Sequence, residues 1–164
     1  MAVAATINPT PLGQVEVSSF LPVLGPMHYG QYFWNDRDVP PGRSWVVVDL
    51  DAQIISVFHG GREIGTAVIL YGGDSTPTPL GRFRVLARLK DHRSSLYDAP
   101  MPYTIRLTDD GVSIHGSSVM RGSATHGCIG IPTAFAARVF EAIRQGDEIT
   151  IVSSRRADGD GQSA

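Results

Sequence analysis

The chain has 164 residues, 42% of them hydrophobic and 18% charged, which suits one globular domain with its own core and excludes a disordered chain. Fourteen basic residues against sixteen acidic ones leave a formal net charge of −2, so no global attraction to nucleic acid or to an anionic membrane is expected. One cysteine excludes an internal disulfide, and no apolar run approaches the roughly 18 residues of a membrane-spanning helix.

Met1 to Ser44 reads as an irregular N-terminal arm. Pro9, Pro11, Pro22, Pro26, Pro40 and Pro41 each block a continuing helix. One short strand is expected near Tyr32 to Asn35, with Tyr29, Tyr32, Phe33 and Trp34 packing on the main body. Met1 to Asp36 holds no Lys or Arg, so the basic region of a secretory signal is missing. The chain then reads as either cytosolic or the mature form of an exported protein.

Regular structure is predicted from Trp45. Val46 to Leu50 and Gln53 to Phe58 are rich in β-branched residues, and Asp51-Ala52 joins them as a hairpin. His59-Gly60-Gly61 makes the next turn and Glu63 to Leu70 the next strand. Tyr71 to Leu80 is a loop, and Arg82 to Leu89 alternates as one strand, with Phe83, Val85 and Leu89 facing one way. Lys90 to Pro102 is polar with two prolines and reads as a surface loop or lid. Tyr103 to Leu107 and Val112 to His115 are strands joined by Asp109-Asp110-Gly111, and Ser117 to Thr125 is a loop.

One helix is expected, Pro132 to Gln145. Proline suits its first turn, Phe135, Val139, Phe140 and Ile143 form its apolar stripe, and Gly146 ends it as the C′ residue. Glu148 to Val152 is a closing strand, and Ser153 to Ala164 a disordered tail. The 18 glycines and 11 prolines, scattered rather than clustered, agree with a mainly β domain carrying one principal helix.

The candidate chemistry lies at His115-Gly116 and Thr125-His126-Gly127-Cys128. A thiol is a weak nucleophile until ionised, with a free pKa of about 8.5. A neighbouring imidazole can take its proton, and the start of a following helix can lower the thiol pKa further. Gly127 lets successive amides converge as an oxyanion hole. Against this stand the plainer readings of Cys128 as a buried structural thiol beside Ile129 and Ile131, and of any single His as an ordinary residue. His126 either lines the site or braces the turn. A zinc site of His115, His126 and Cys128 is disfavoured, because His-x-Cys is not a usual spacing and no second Cys exists. His28, His59 and His92 are dispersed and read as turn or loop residues. A phosphate site at Tyr71-Gly72-Gly73 is weak, since no helix follows.

These residues resemble a known family. Trp45 to Val152 is similar to the L,D-transpeptidase catalytic domain of the YkuD type, in order along its length. VVVDLDAQIISVFHGGREIGTAVILYGG at Val46 to Gly73 resembles the family's first hairpins, and TPTPLGRFRV at Thr76 to Val85 its Thr-Pro-x-Gly-x-Phe segment. DHRSSLYDAPMPYTIRL at Asp91 to Leu107 resembles the lid segment of some members. IHG at Ile114 to Gly116 and THGCIGIP at Thr125 to Pro132 resemble the catalytic signature.

The resemblance implies a mixed β-sandwich or barrel-like catalytic domain over 45–152, needing no cofactor and no metal. Its substrate would be a peptidoglycan tetrapeptide stem. Cys128 would attack the carbonyl after the third residue, release the terminal D-Ala and form a thioester, which an acceptor amine resolves into a 3→3 cross-link. His115 would be the base, and Gly116 would supply a carbonyl that orients it. The amides of Gly127 and Cys128 would form the oxyanion hole, and Tyr103, Thr125 and His126 would line the substrate cleft. Carbapenems would acylate the thiol. Such proteins are exported to the periplasm or cell envelope, so the missing signal implies that a leader has been removed.

Two features depart from the family pattern. Gly130 stands where Arg or Asn is frequent, so a contact made by that side chain is lost unless Arg121 or Arg138 replaces it. The loop from His115 to Thr125 is short, so the cleft is expected to be open. No cell-wall-binding repeat is evident. The same site could use water as acceptor, as an L,D-carboxypeptidase or hydrolase, and a non-catalytic cell-wall-binding module is the rival of another class.

Overall fold

Two tight turns organise the first sheet. In the computed structural model, which describes residues 17–95 and 98–154, ten strands and one helix follow one another. They are β1 (Tyr32–Trp34), β2 (Ser44–Asp49), β3 (Ile54–His59), β4 (Arg62–Val68), β5 (Gly81–Arg84) and β6 (Ala87–Arg93), then β7 (Pro100–Arg106), β8 (Ser113–Ser117), β9 (Ile129–Pro132), α1 (Thr133–Ala142) and β10 (Glu148–Val152). The Asp49 carboxylate accepts from the amides of Asp51 and Ala52 at 3.0 and 3.2 Å, which closes the β2–β3 turn. Gly60 and Gly61 supply the positive φ, 57° and 85°, at the β3–β4 turn.

Six strands form one sheet in the order β1-β4-β3-β2-β10-β5, and four form a second in the order β6-β7-β8-β9. The fold is therefore mainly β with one helix among the described residues, as the sequence predicts. β1 pairs antiparallel with β4, so the strand expected in the arm stitches it to the body. Tyr32 and Trp34 pack on Phe135 with ring centroids 5.6 and 5.8 Å apart. β10 runs parallel to β2, setting Ile149 opposite Val46 and Ile151 opposite Val48, all four buried. Ile55, Ile114, Ile129, Ile131, Phe135 and Ile151 meet in one core shared by both sheets and α1. Each such side chain stabilises the fold by about 1.5–3 kcal/mol.

Several expectations are corrected. Arg82 to Leu89 is not one strand. The Val85 amide donates to Asp147 in the first sheet and the next amide, Leu86, to Arg106 in the second, so the chain changes sheets there. Leu89 is exposed and does not share the buried face of Val85. Lys90 to Pro102 is not a loop, because β6 runs to Arg93 and β7 starts at Pro100. The charged residues occupy an exposed edge strand, where charge discourages pairing with other chains. Pro100 and Pro102 lie where β7 pairs only with β6, a place that tolerates a missing N–H.

The helix is shorter than expected. Pro132 ends β9 and caps α1, and the chain leaves the helix at Ile143, which is extended (φ −103°, ψ 134°). Phe135, Val139 and Ile143 are still buried as foreseen. Gly146 is therefore not the C′ residue. It sits in the turn into β10, and its amide donates to the Val85 carbonyl at 2.9 Å. Of the expected tail, 155–164 lie outside the described residues. Ser153 and Ser154 are tied back to Asp51 and Asp49 by hydroxyl hydrogen bonds of 2.6 and 3.2 Å.

Candidate active site

β8 and β9 pair in parallel, with Ile114 opposite Ile129 and His115 opposite Gly130. Side chains alternate along a strand, and paired residues share a face. Ser113 and Ser117 share the face of His115, and Cys128 lies in the bend just before β9, where the Ser113 backbone hydrogen-bonds its thiol. The opposite face carries buried Ile114, Ile129 and Ile131. Gly116 shares it, close to the helix: a Cβ there would lie 3.2 Å from Thr133 Cα. One ribbon thus presents the core with an apolar side and the site with a polar one.

His115 Nδ1 lies 2.9 Å from the Gly116 carbonyl oxygen. A carbonyl only accepts, so Nδ1 carries the proton and Nε2 presents a lone pair. Burial pushes the His115 pKa below its ordinary 6.5, the Gly116 bond raises it in part, and the charge of His92 lowers it again. Burial also pushes the Cys128 thiol up from 9.0, against the Ser113 amide, which lowers it, while the Asp110 carboxylate raises it further. The thiol is partly buried, and Sγ lies 3.8 Å from the Gly111 carbonyl oxygen.

Both shifts favour the uncharged forms, the thiol and the neutral imidazole. The expected pull of a helix N-terminus is absent, because β9 separates Cys128 from the start of α1 at Thr133.

The loop from Thr125 to Cys128 is pinned from several sides. The Thr125 hydroxyl donates to the Cys128 carbonyl. The Thr125 backbone bridges to Gly72, with its amide 3.0 Å from the Tyr71 carbonyl. Gly127 is buried at φ 106°, a left-handed conformation that suits glycine. Its carbonyl accepts from the Thr78 hydroxyl at 2.9 Å.

Two of the residues expected to line the cleft have contacts of their own. Tyr103 is packed against Phe140 of α1, ring centroids 5.7 Å apart, so its ring serves the helix contact. Its φ of 56° marks an irregularity in β7 that sequence alternation could not disclose. The Thr125 hydroxyl braces the loop, and His126 is exposed at the rim. Among the described residues no three His, Cys, Asp or Glu converge as a metal site, His115, His126 and Cys128 included.

Gly130 exchanges both backbone hydrogen bonds with Leu70 at 2.9 Å, and a Cβ there would lie 3.2 Å from Ser117 Cβ and 3.4 Å from Leu70 Cβ. Neighbours thus occupy the space a larger side chain would need. Arg138 does not substitute for one. It lines a separate groove of about 960 Å³ with Tyr32, Trp34, Arg43, Glu141 and Asp147, which includes neither Cys128 nor His115. Sequence reasoning missed Ser113, Asp110 and His92 around the pair, since only the strand register brings them to it.

A two-sheet β domain thus carries a backbone-bonded His115 on β8 and a cysteine in the bend before β9, within reach of the Ser113 backbone of β8. The chain belongs to the YkuD family, the L,D-transpeptidase catalytic domain, which it matches over residues 43–151. It is 28% identical over 123 residues to L,D-transpeptidase 1 of Mycobacterium tuberculosis, covering 65% of this chain and 49% of that protein. It thus spans about half the length of the curated relatives it matches.

Among solved structures it is similar to an L,D-transpeptidase of Mycobacterium smegmatis, with a TM-score of 0.64 at 24% identity over 68% of this chain and 59% of that one. Another is from Stackebrandtia nassauensis, with a TM-score of 0.63 at 19% identity over 73% and 60%. A third was solved in complex with imipenem, with a TM-score of 0.61 at 27% identity over 66% and 58%.

Proposed function

We propose that this chain is a peptidoglycan L,D-transpeptidase that works through a thioester on Cys128 and acts in the cell envelope. One observation carries the proposal: the Gly116 carbonyl holds His115 in the tautomer that accepts a proton at Nε2, on β8, whose Ser113 backbone also bonds the Cys128 thiol. Cys128 passes its proton to His115 as Sγ attacks the carbonyl carbon after the third stem residue. The oxyanion forms at the amides of Gly127 and Cys128. Its collapse breaks the C–N bond, and the D-Ala amine leaves with the proton from His115. An acceptor amine then attacks the thioester, His115 takes its proton, and the thiol is restored. A relative was solved in complex with imipenem, which supports a carbapenem reaching this site, where Cys128 is the group it would acylate. No helix among the described residues is long and apolar enough to cross a membrane.

The test is intact mass after incubation with a tetrapeptide stem, with and without an acceptor amine, beside a carbapenem arm. The expected result is a thioester adduct on Cys128 that the amine converts to cross-linked product with release of D-Ala. A tripeptide product even with amine in excess would instead assign a hydrolase. Absence of any adduct, with stem or carbapenem, would leave a binding module.

A further inference from the structure

The Thr-Pro segment at Thr78 has no part in the reaction as written, yet it reaches the nucleophile loop. Thr78 is 5% exposed. Its Oγ1 accepts from the Gly72 amide at 2.8 Å and donates to the Gly127 carbonyl at 2.9 Å. The direction is fixed, because an amide N–H only donates and a carbonyl only accepts. The approach is close: a Cβ on Gly72 would lie 2.7 Å from the Thr78 nitrogen, so the contact requires glycine there.

The Gly127 carbonyl and the Cys128 N–H belong to one planar peptide unit. In a trans unit they point in opposite directions, and no cis peptide occurs among the described residues. Drawing the carbonyl toward Thr78 turns the Cys128 amide away from it. The glycine at 127 leaves this unit free to rotate, so the hydroxyl bond is what selects between the two orientations. The Thr125 hydroxyl fixes the carbonyl of the following unit.

We propose that Thr78 is a positioning residue that holds the Cys128 N–H in the orientation of an oxyanion donor. This rests on the reading of Cys128 as an acyl acceptor. As Sγ bonds to a carbonyl carbon, the π pair moves to oxygen, where the aligned N–H meets it. Collapse restores the C=O and expels the leaving group with its electron pair.

The test compares two reactions of the same sulfur in the full chain. 4-Nitrophenyl acetate acylates it through an oxyanion and releases 4-nitrophenolate. Iodoacetamide alkylates it by displacing iodide at a saturated carbon, with no oxyanion. Thr78→Val, which keeps the shape and removes the hydroxyl, should slow acylation about 10- to 100-fold and leave the alkylation rate and its pH profile unchanged. Thr78→Ser should restore acylation.

Wild-type acylation in Thr78→Val, an equal loss in both reactions, or Thr78→Ser behaving like Thr78→Val would each overturn the proposal. If Thr78→Val does not fold by circular dichroism, Thr78→Ala decides in the same pair of assays. Neither reagent resembles a stem peptide. A chain that is acylated by the ester but ignores tetrapeptide would sink the substrate assignment and leave the Thr78 result standing.

Discussion

The six-stranded sheet and the four-stranded sheet are made of different material. β2, β3, β4 and β10 of the first bury Val46, Val48, Ile55, Val57, Ile64, Ile149 and Ile151 in two tight hairpins and a parallel closure. The second has a charged outer strand, a neighbour with two prolines and a left-handed Tyr103, and an inner ribbon that is apolar on one face only. His115 lies on this second sheet, and Cys128 in the bend that leads into it. A stable first sheet lets the second carry partly buried titratable groups and unusual backbone, because the cost is offset elsewhere in the shared core. The Arg88 guanidinium, over the Phe140 ring at 4.3 Å and bonded to the Phe140 carbonyl, clamps the outer hairpin to α1.

Breaking each sheet separately should therefore give opposite signatures. Cys128→Ala on the second sheet should abolish stem turnover and carbapenem adduct while leaving the thermal midpoint in place, read by intact mass and by melting. Residual turnover would remove Cys128 from its role.

His115→Gln should slow acylation by roughly 10²–10⁴-fold, and it carries a pH signature as well. Burial depresses the His115 pKa below 6.5, so in the wild type its contribution to stability is present above that value and lost as pH falls toward the folded pKa. Urea titrations on either side of 6.5 should show this loss in the wild type and less of it in the variant. Equal pH dependence in both chains would mean that His115 is not held neutral by the fold.

Ile55→Ala on the first sheet should cost about 2–5 kcal/mol of stability and leave the rate per folded molecule unchanged. A proportional loss of rate would show that the sheets are not separable. Smallest is Arg82→Ala, which removes the bidentate pair with Glu148 at 2.9–3.3 Å. With Arg82 half exposed, the loss should stay below about 1 kcal/mol and shrink in high salt.

The first sheet was largely legible. Asp51-Ala52, Gly60-Gly61 and the β-branched runs are local signals, and local signals fix hairpins. The chain's change of sheet at Val85 and Leu86 was not legible, because alternation continues unbroken through it and cannot say which sheet receives each amide. β6 was hidden because edge charges look like a loop. β9 was hidden because four residues, Ile129 to Pro132, are too few to show a period. His115 and Cys128 were singled out by residue type and by motif resemblance, and the register sets His115 opposite Gly130, two residues past Cys128. The upward shift of the thiol and the reach of Thr78 are long-range facts, set by burial and, for Thr78 and Gly127, by a contact 49 residues apart.

The place of β10 bears on how the chain is made. It is the last of the ten strands to leave the ribosome, yet it lies inside the first sheet, between β2 and β5. Until it emerges, β5 lacks its sheet partner and β2 presents an open edge. The nascent chain can close its hairpins early, but the sheet waits for Glu148 to Val152, and such distant pairing folds slowly. A stall in synthesis within α1 would therefore expose the apolar interior of the first sheet to other chains.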